Sequence, residues 1–120
     1  MRVWLRWMVL VSTLAGLADA APVISLGTNS PKKVYVLPIR DDIMPPLVYL
    51  VRRGVKEAME AEADLLVLDM ETNGGRVDTT REIIGILEQF KGDTVTFVNK
   101  DAFSAGAFIA VATRKIYMAP

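Results

Sequence analysis

Apolar residues follow two different spacings along the chain. Residues 32–39 form a short run with β-branched and aromatic side chains, which predicts a strand. From Leu47 onward apolar residues recur three or four positions apart, which predicts a helix with Pro45 and Pro46 in its first turn. Residues 64–70 are almost continuously aliphatic, as is typical of a strand with both faces covered in a parallel sheet.

The second half of the chain repeats this alternation. The turn sequence Asn-Gly-Gly at residues 73–75 ends the aliphatic strand, and Asp78 is a predicted N-cap for a second helix. Gly92 and Asp93 interrupt that helix before the next apolar run. The apolar positions that define the second helix are Ile83, Ile84, Ile86, Leu87 and Phe90.

Three more elements complete the pattern. Residues 94–98 predict a strand, residues 104–114 a helix of small residues, and residues 115–120 a fourth strand. The order β-α-β-α-β-α-β consists of three crossover units in succession, which give parallel strands with right-handed connections. We therefore predict an α/β fold with a parallel sheet and helices above and below it.

The N-terminal region differs from this domain. Residues 1–20 combine two arginines, an uncharged apolar run and small residues around a cleavage point after Ala20, which predicts a signal peptide. An uncleaved anchor is the alternative, since Trp4 and Trp7 lengthen the apolar stretch. Residues 21–31 are rich in Pro, Ser, Gly and Asn and predict a linker to a domain at residues 32–120.

Composition narrows the chemistry that the domain can support. The 120 residues carry 14 basic and 14 acidic side chains. Because there is no excess of basic residues, the composition argues against nucleic acid as a partner. The chain has no cysteine and no histidine, which argues against disulfides, a zinc site and a cysteine nucleophile. We expect no cofactor and no metal. A serine nucleophile would need a base other than imidazole.

Two unusual segments follow the second and third predicted strands, at residues 71–75 and 100–104. Ligands of open α/β sheets bind outside the carboxyl ends of the strands, so these loops would meet if the two strands are neighbours. Ser104 would then present its hydroxyl beside the N–H groups of Ala105 and Gly106, which suits an oxyanion. A Gly-Gly pair would let backbone N–H groups face a substrate.

Each of these features also has a structural explanation. A Gly-Gly pair after a strand is most often a turn, and a serine before a helix is most often an N-cap. The small residues at positions 105–107 can also form a tight packing face. Only the combination of two such loops on one edge of a sheet favours a functional site.

The same residues carry a family resemblance. LLVLDMETNGGRVDTTREI resembles the strand, Gly-Gly and helix segment of the Clp/crotonase superfamily. DAFSAGAFIAVATRKIYMAP resembles the nucleophile segment of its membrane-associated branch, which includes NfeD-type serine proteases and the signal peptide peptidase A family. The similarity covers nearly all of residues 33–120. It implies the ClpP/crotonase type of parallel sheet, incomplete at the C-terminus.

The resemblance also implies roles for individual residues. Ser104 would be the nucleophile, and the amides of Gly75 and Ala105 would form the oxyanion hole. Asn73, Gly74 and Gly106 would shape the loops, although Asn73 stands where the family usually has proline.

The general base of this branch is a lysine some tens of residues after the serine, which the 120 residues do not include. Lys100 is an alternative within the chain, although exposed loop lysines are usually solvated and charged. Lys115 should start the fourth strand at the opposite edge of the sheet.

The resemblance implies an exported serine endopeptidase of the Ser–Lys type at the extracytoplasmic or periplasmic face of a membrane. It further implies peptide or membrane-protein substrates, a stomatin-like partner and a homo-oligomer. We expect the chain to be the N-terminal part of such a domain, inactive and aggregation-prone alone. An inactive scaffold for a membrane protein and an acyl-thioester enzyme of the same fold are the alternatives.

Overall fold

The computed structural model describes residues 32–120, and the predicted signal peptide and linker lie outside the described residues. The predicted alternation of strands and helices is confirmed. The longest helix within residues 32–120 has 16 residues, and none there is both long and apolar enough to cross a membrane. In chain order the elements are β1 (Val34–Ile39), α1 (Pro45–Glu60), β2 (Leu65–Thr72), α2 (Val77–Leu87), β3 (Asp93–Ala102), α3 (Ala105–Val111) and β4 (Lys115–Met118).

The four strands form one parallel sheet in the order β1-β2-β3-β4. Val36 pairs with Val67 and Val67 with Val95, so the central positions are aligned across three strands. The α/β class with a parallel sheet is therefore confirmed. Because the order never reverses, three right-handed crossovers place all three helices on the same face.

The prediction of helices above and below the sheet is wrong for residues 32–120. Leu66 and Leu68 are fully buried under the helices, whereas Val36, which points to the other face, is 56% exposed. Continuous aliphatic sequence in β2 indicated burial on both faces, but it does not specify on which side each crossover helix packs. The buried core on the helical face includes Leu37, Ile39, Met70, Val51, Val55, Ile83 and Ile109.

The start of α2 differs from the prediction, because Asp78 is not the N-cap. Arg76 occupies that position, and Asp78 lies in the first turn, where its Oδ1 accepts a hydrogen bond from the Thr79 N–H at 2.9 Å. The Arg76 guanidinium also donates to Asp78, and this bond more than the Thr79 amide lowers the pKa of the carboxyl to about 2. A carboxylate in the first helical turn keeps the favourable dipole interaction that the prediction assumed.

The third crossover unit has a longer strand and a shorter helix than predicted. β3 continues to Ala102 because it pairs with β2 again beyond an irregularity, with Thr72 opposite Ala102. α3 ends at Val111, since the Thr113 hydroxyl turns back to the Ala110 carbonyl (2.7 Å) and contacts the buried Thr96 hydroxyl (3.0 Å). Residues 100–102 therefore belong to a strand and not to a loop.

Candidate active site

The two loops that the sequence singles out touch each other, because β2 and β3 are neighbours. A Cβ atom added to Gly74 would lie 2.9 Å from the Ser104 Cβ and 3.3 Å from the Ala105 nitrogen. Gly74 also has a φ of 103°, a conformation that favours glycine. The predicted meeting of the loops at one edge of the sheet is confirmed.

Ile43, which the sequence did not single out, anchors the glycine loop. Its N–H donates to the Gly74 carbonyl at 2.7 Å, and its carbonyl accepts from the Arg76 N–H at 2.8 Å. A Cβ on Gly75 would lie 2.3 Å from the Ile43 carbonyl oxygen, so the close approach of the two backbones requires glycine. The Gly75 N–H has no hydrogen-bond acceptor within residues 32–120.

Thr72 connects three segments of the site, a role that was not predicted from the sequence. Its buried hydroxyl donates to the Asp41 carbonyl at 2.7 Å and accepts from the Gly74 N–H at 3.1 Å. Its carbonyl accepts from the Phe103 N–H at 3.1 Å, directly before Ser104. The available signal was a polar residue at the end of an otherwise apolar strand, which sequence reasoning could have treated as a buried hydrogen-bonding position.

Ser104 lies at the N-cap of α3, yet its hydroxyl does not cap the helix. Its backbone angles are φ 47° and ψ −113°, an unfavourable conformation for a residue with a side chain. Such strain costs about 1–3 kcal/mol and occurs most often at functional positions. The residue as a whole is exposed to solvent. Capping by the side chain therefore does not account for this serine.

The amides near Ser104 are not equivalent. The Gly106 N–H donates to the Phe103 carbonyl at 2.8 Å, so it is not available to a ligand. The Ala105 N–H has no acceptor among the described residues. A Cβ on Gly106 would lie 2.5 Å from the Thr72 Cγ2, so this glycine allows α3 to approach β2 closely. Ala105 and Gly75 are thus the two predicted donors whose N–H groups remain unbonded.

A groove of about 290 Å³ begins at Ser104 and Ala105 and separates α2 from α3. Helical spacing brings its α2 residues onto one side, since the later three lie three, four and seven positions after Val77. Most of the lining is apolar, and Phe108 and Val77 are 65% and 66% exposed. The lining from α2 consists of Val77, Thr80, Arg81 and Ile84, and that from α3 includes Phe108.

Lys100 belongs to a different cavity, of about 310 Å³, which charged and polar side chains line together with Asn73. It lies in β3, and its Nζ is 3.5 Å from a Glu71 carboxylate oxygen. Its side chain is 71% exposed. Lys115 begins β4 at the opposite edge of the sheet, as predicted. No lysine among residues 32–120 lines the groove beside Ser104.

Comparison with known proteins identifies the family. A family described as NfeD1b, N-terminal domain, matches residues 33–120. The chain belongs to the NfeD1b N-terminal domain family. The membrane protein NfeD1b of Bacillus subtilis is 34% identical over 98 residues, which is 81% of this chain and 22% of the relative.

A second curated relative of this NfeD1b-type domain carries a described activity. The membrane-bound protease PH1510 of Pyrococcus horikoshii is 27% identical over 115 residues, which is 93% of this chain and 25% of the protease. The chain thus spans about a quarter of the length of the curated relatives that it matches.

Solved structures support the same relationship. The 1510-N membrane protease from Pyrococcus horikoshii, specific for a stomatin homolog, has a TM-score of 0.69 and 29% identity, over 76% of this chain and 47% of its own. A variant of 1510-N in complex with a substrate peptide has a TM-score of 0.68 and 28% identity, over 74% and 42%. A ClpP1 variant from Listeria monocytogenes, at 19% identity, shares the fold, with a TM-score of 0.60 over 66% and 46%. The NfeD1b-type domain therefore has a ClpP-like fold.

Proposed function

We propose that this NfeD1b-type domain carries the nucleophile and the oxyanion hole of a serine endopeptidase. The observation that carries the proposal is the strained backbone of Ser104, an exposed residue whose side chain does not cap α3. The unbonded amides of Gly75 and Ala105 and the contact of Gly74 with Ser104 support it. A relationship to a membrane-bound protease supports peptide hydrolysis as the reaction.

In the proposed reaction the Ser104 hydroxyl oxygen attacks the carbonyl carbon of a peptide bond. Its proton passes to a neutral base, and the carbonyl oxygen becomes an oxyanion that accepts hydrogen bonds from the Gly75 and Ala105 N–H groups. Collapse of this intermediate breaks the C–N bond, and the leaving amine takes the proton from the base. Water then hydrolyses the acyl-enzyme and regenerates Ser104.

We propose a lysine as the base, since the chain contains no histidine. A lysine can accept a proton only when desolvation or a nearby positive charge lowers its pKa. Lys100 is solvent-exposed, pairs with Glu71 and does not line the groove beside Ser104. We therefore place the base outside residues 32–120, on a segment that would lie over the groove.

The substrate class follows from the groove and from the relatives. Its lining is largely apolar, which suits an apolar peptide segment. One solved relative is described as specific for a stomatin homolog, and both curated relatives are described as membrane proteins or membrane-bound. We propose a peptide segment of a membrane protein, such as a stomatin-like partner, cleaved at an extracytoplasmic membrane surface.

Labelling with a fluorophosphonate tests the nucleophile. We expect the full-length protein to form a covalent adduct at Ser104, detectable by mass spectrometry of the tryptic peptide, and the Ser104→Ala variant to form none. Ser30→Ala, which changes a serine in the predicted linker, serves as the matched control and should label like the parent. Equal labelling of Ser104→Ala and the parent would refute the assignment, and no labelling of either would favour an inactive scaffold.

A further inference from the structure

We propose that Arg81 makes the groove beside Ser104 selective for peptides in which an acidic residue flanks an apolar one. The inference rests on the proposed function, because it concerns the substrate of the same site. It adds a charge requirement to a groove whose remaining lining is largely apolar.

The position of Arg81 follows from the geometry of α2. Val77, Arg81 and Ile84 are four and three residues apart, so they lie on one side of the helix, the side that lines the groove. Phe108 faces them from α3, and Ser104 and Ala105 close the end where the reaction would take place. A peptide bound at Ser104 would therefore lie within reach of the Arg81 guanidinium.

Among the arginines of residues 32–120, Arg81 differs from the others in having no partner there. Arg40, Arg52, Arg53, Arg76 and Arg114 each form an ion pair with a carboxylate. Within the described part of the chain Arg81 forms no ion pair and no side-chain hydrogen bond, although its side chain lines a concave surface. An exposed guanidinium at a groove is well suited to bind a carboxylate in a bidentate manner.

The apolar side chains of the groove favour a peptide that also has an apolar residue. Val77 and Phe108 are both largely exposed on the groove, so an apolar residue of the peptide would remove their surface from water. A carboxylate next to that residue would complement the positive charge of Arg81. Because the chain has no net charge, this preference would arise locally and not from general attraction of anions.

The test measures binding without hydrolysis, in the Ser104→Ala background of the full-length protein. Three fluorescein-labelled apolar hexapeptides would carry glutamate, glutamine or lysine on both sides of a central leucine, and Kd would be measured by fluorescence anisotropy. We expect the glutamate peptide to bind about three- to fivefold more tightly than the glutamine peptide, as for a partly exposed ion pair. The lysine peptide should bind most weakly.

Charge reversal provides the decisive comparison. Arg81→Glu should reverse the order of the glutamate and lysine peptides, whereas Lys91→Glu, an equal charge change outside the groove, should preserve it. An unchanged order in Arg81→Glu, equal binding of the three peptides, or no binding of any of them would overturn the inference. Failure of the proposed function is detected separately, because it would appear as a lack of Ser104 labelling in the parent protein.

Discussion

Two concave surfaces of similar size flank the loops that follow β2 and β3, yet the side chains that line them differ in polarity. The groove at Ser104, about 290 Å³, is lined mainly by apolar side chains of α2 and α3. The cavity at Lys100, about 310 Å³, is lined by Arg40, Glu71 and further charged or polar groups. Size alone would not have distinguished them.

The contrast between the two surfaces shows that position at the sheet edge is a weak guide to the reacting group. Around Lys100 the Glu71 carboxylate forms ion pairs with both Lys100 (3.5 Å) and Arg40 (3.8 Å). Around Ser104 the backbone is held in place, while the N–H groups of Gly75 and Ala105 have no acceptor within the described part of the chain. Unsatisfied donors beside a strained residue indicate a binding site more specifically than a collection of paired charges.

The glycine loop should be the part of the site that is most sensitive to substitution. Gly75→Ala would place a Cβ 2.3 Å from the Ile43 carbonyl oxygen. Neither atom can be moved away by a side-chain rotation, so the backbone of the loop must shift. We expect a loss of about 2–4 kcal/mol in the free energy of unfolding and the loss of fluorophosphonate labelling. Urea unfolding monitored by circular dichroism, together with labelling of Ser104, measures both.

Gly85→Ala is the matched control for that variant. A Cβ at Gly85 meets no atom within 4 Å, and the residue is exposed inside α2. We expect this substitution to stabilise the protein by about 0.5–1 kcal/mol and to leave labelling unchanged. Equal effects of the two substitutions would contradict the role of the Ile43 contact.

Thr72→Val should have an intermediate effect. It keeps the shape of the side chain but leaves the Asp41 carbonyl and the Gly74 N–H without their hydrogen bonds. We expect a loss of about 1–3 kcal/mol in stability and labelling slowed roughly ten- to a hundredfold, since the glycine loop loses its support. Thr72→Ser, which retains the hydroxyl, should label much faster than Thr72→Val. Equal labelling rates would show that the hydroxyl does not position the loop.

Much of the fold could be predicted from the sequence because it depends on local patterns. Apolar spacing located all four strands and three helices, and parallel pairing followed from their alternation. The side on which helices pack could not be predicted from β2, because its aliphatic sequence is compatible with one covered face or two. Asp78 suited an N-cap by residue type, but Arg76 is the N-cap and Asp78 lies two residues further on, in the first turn.

The candidate site was predicted less completely because it depends on contacts between distant segments. Ser104, Gly74 and Gly75 stand out by residue type and spacing. Ile43 and Thr72 do not, since their roles come from backbone and hydroxyl bonds that link positions about 30 residues apart. The sequence also offered Gly106 as a possible donor, and only the bond to Phe103 excludes it.

Substitutions in the Lys100 cavity should have the least influence on Ser104. Lys100→Met removes an exposed ion pair with Glu71, and such pairs contribute little to stability. We expect the midpoint of thermal unfolding to stay almost unchanged and the rate of Ser104 labelling to stay within about twofold of the parent. Glu71→Gln, which leaves Lys100 without this partner, should behave in the same way. Loss of labelling in Lys100→Met alone would instead make Lys100 the base, and the two concave surfaces would then have to act as one site.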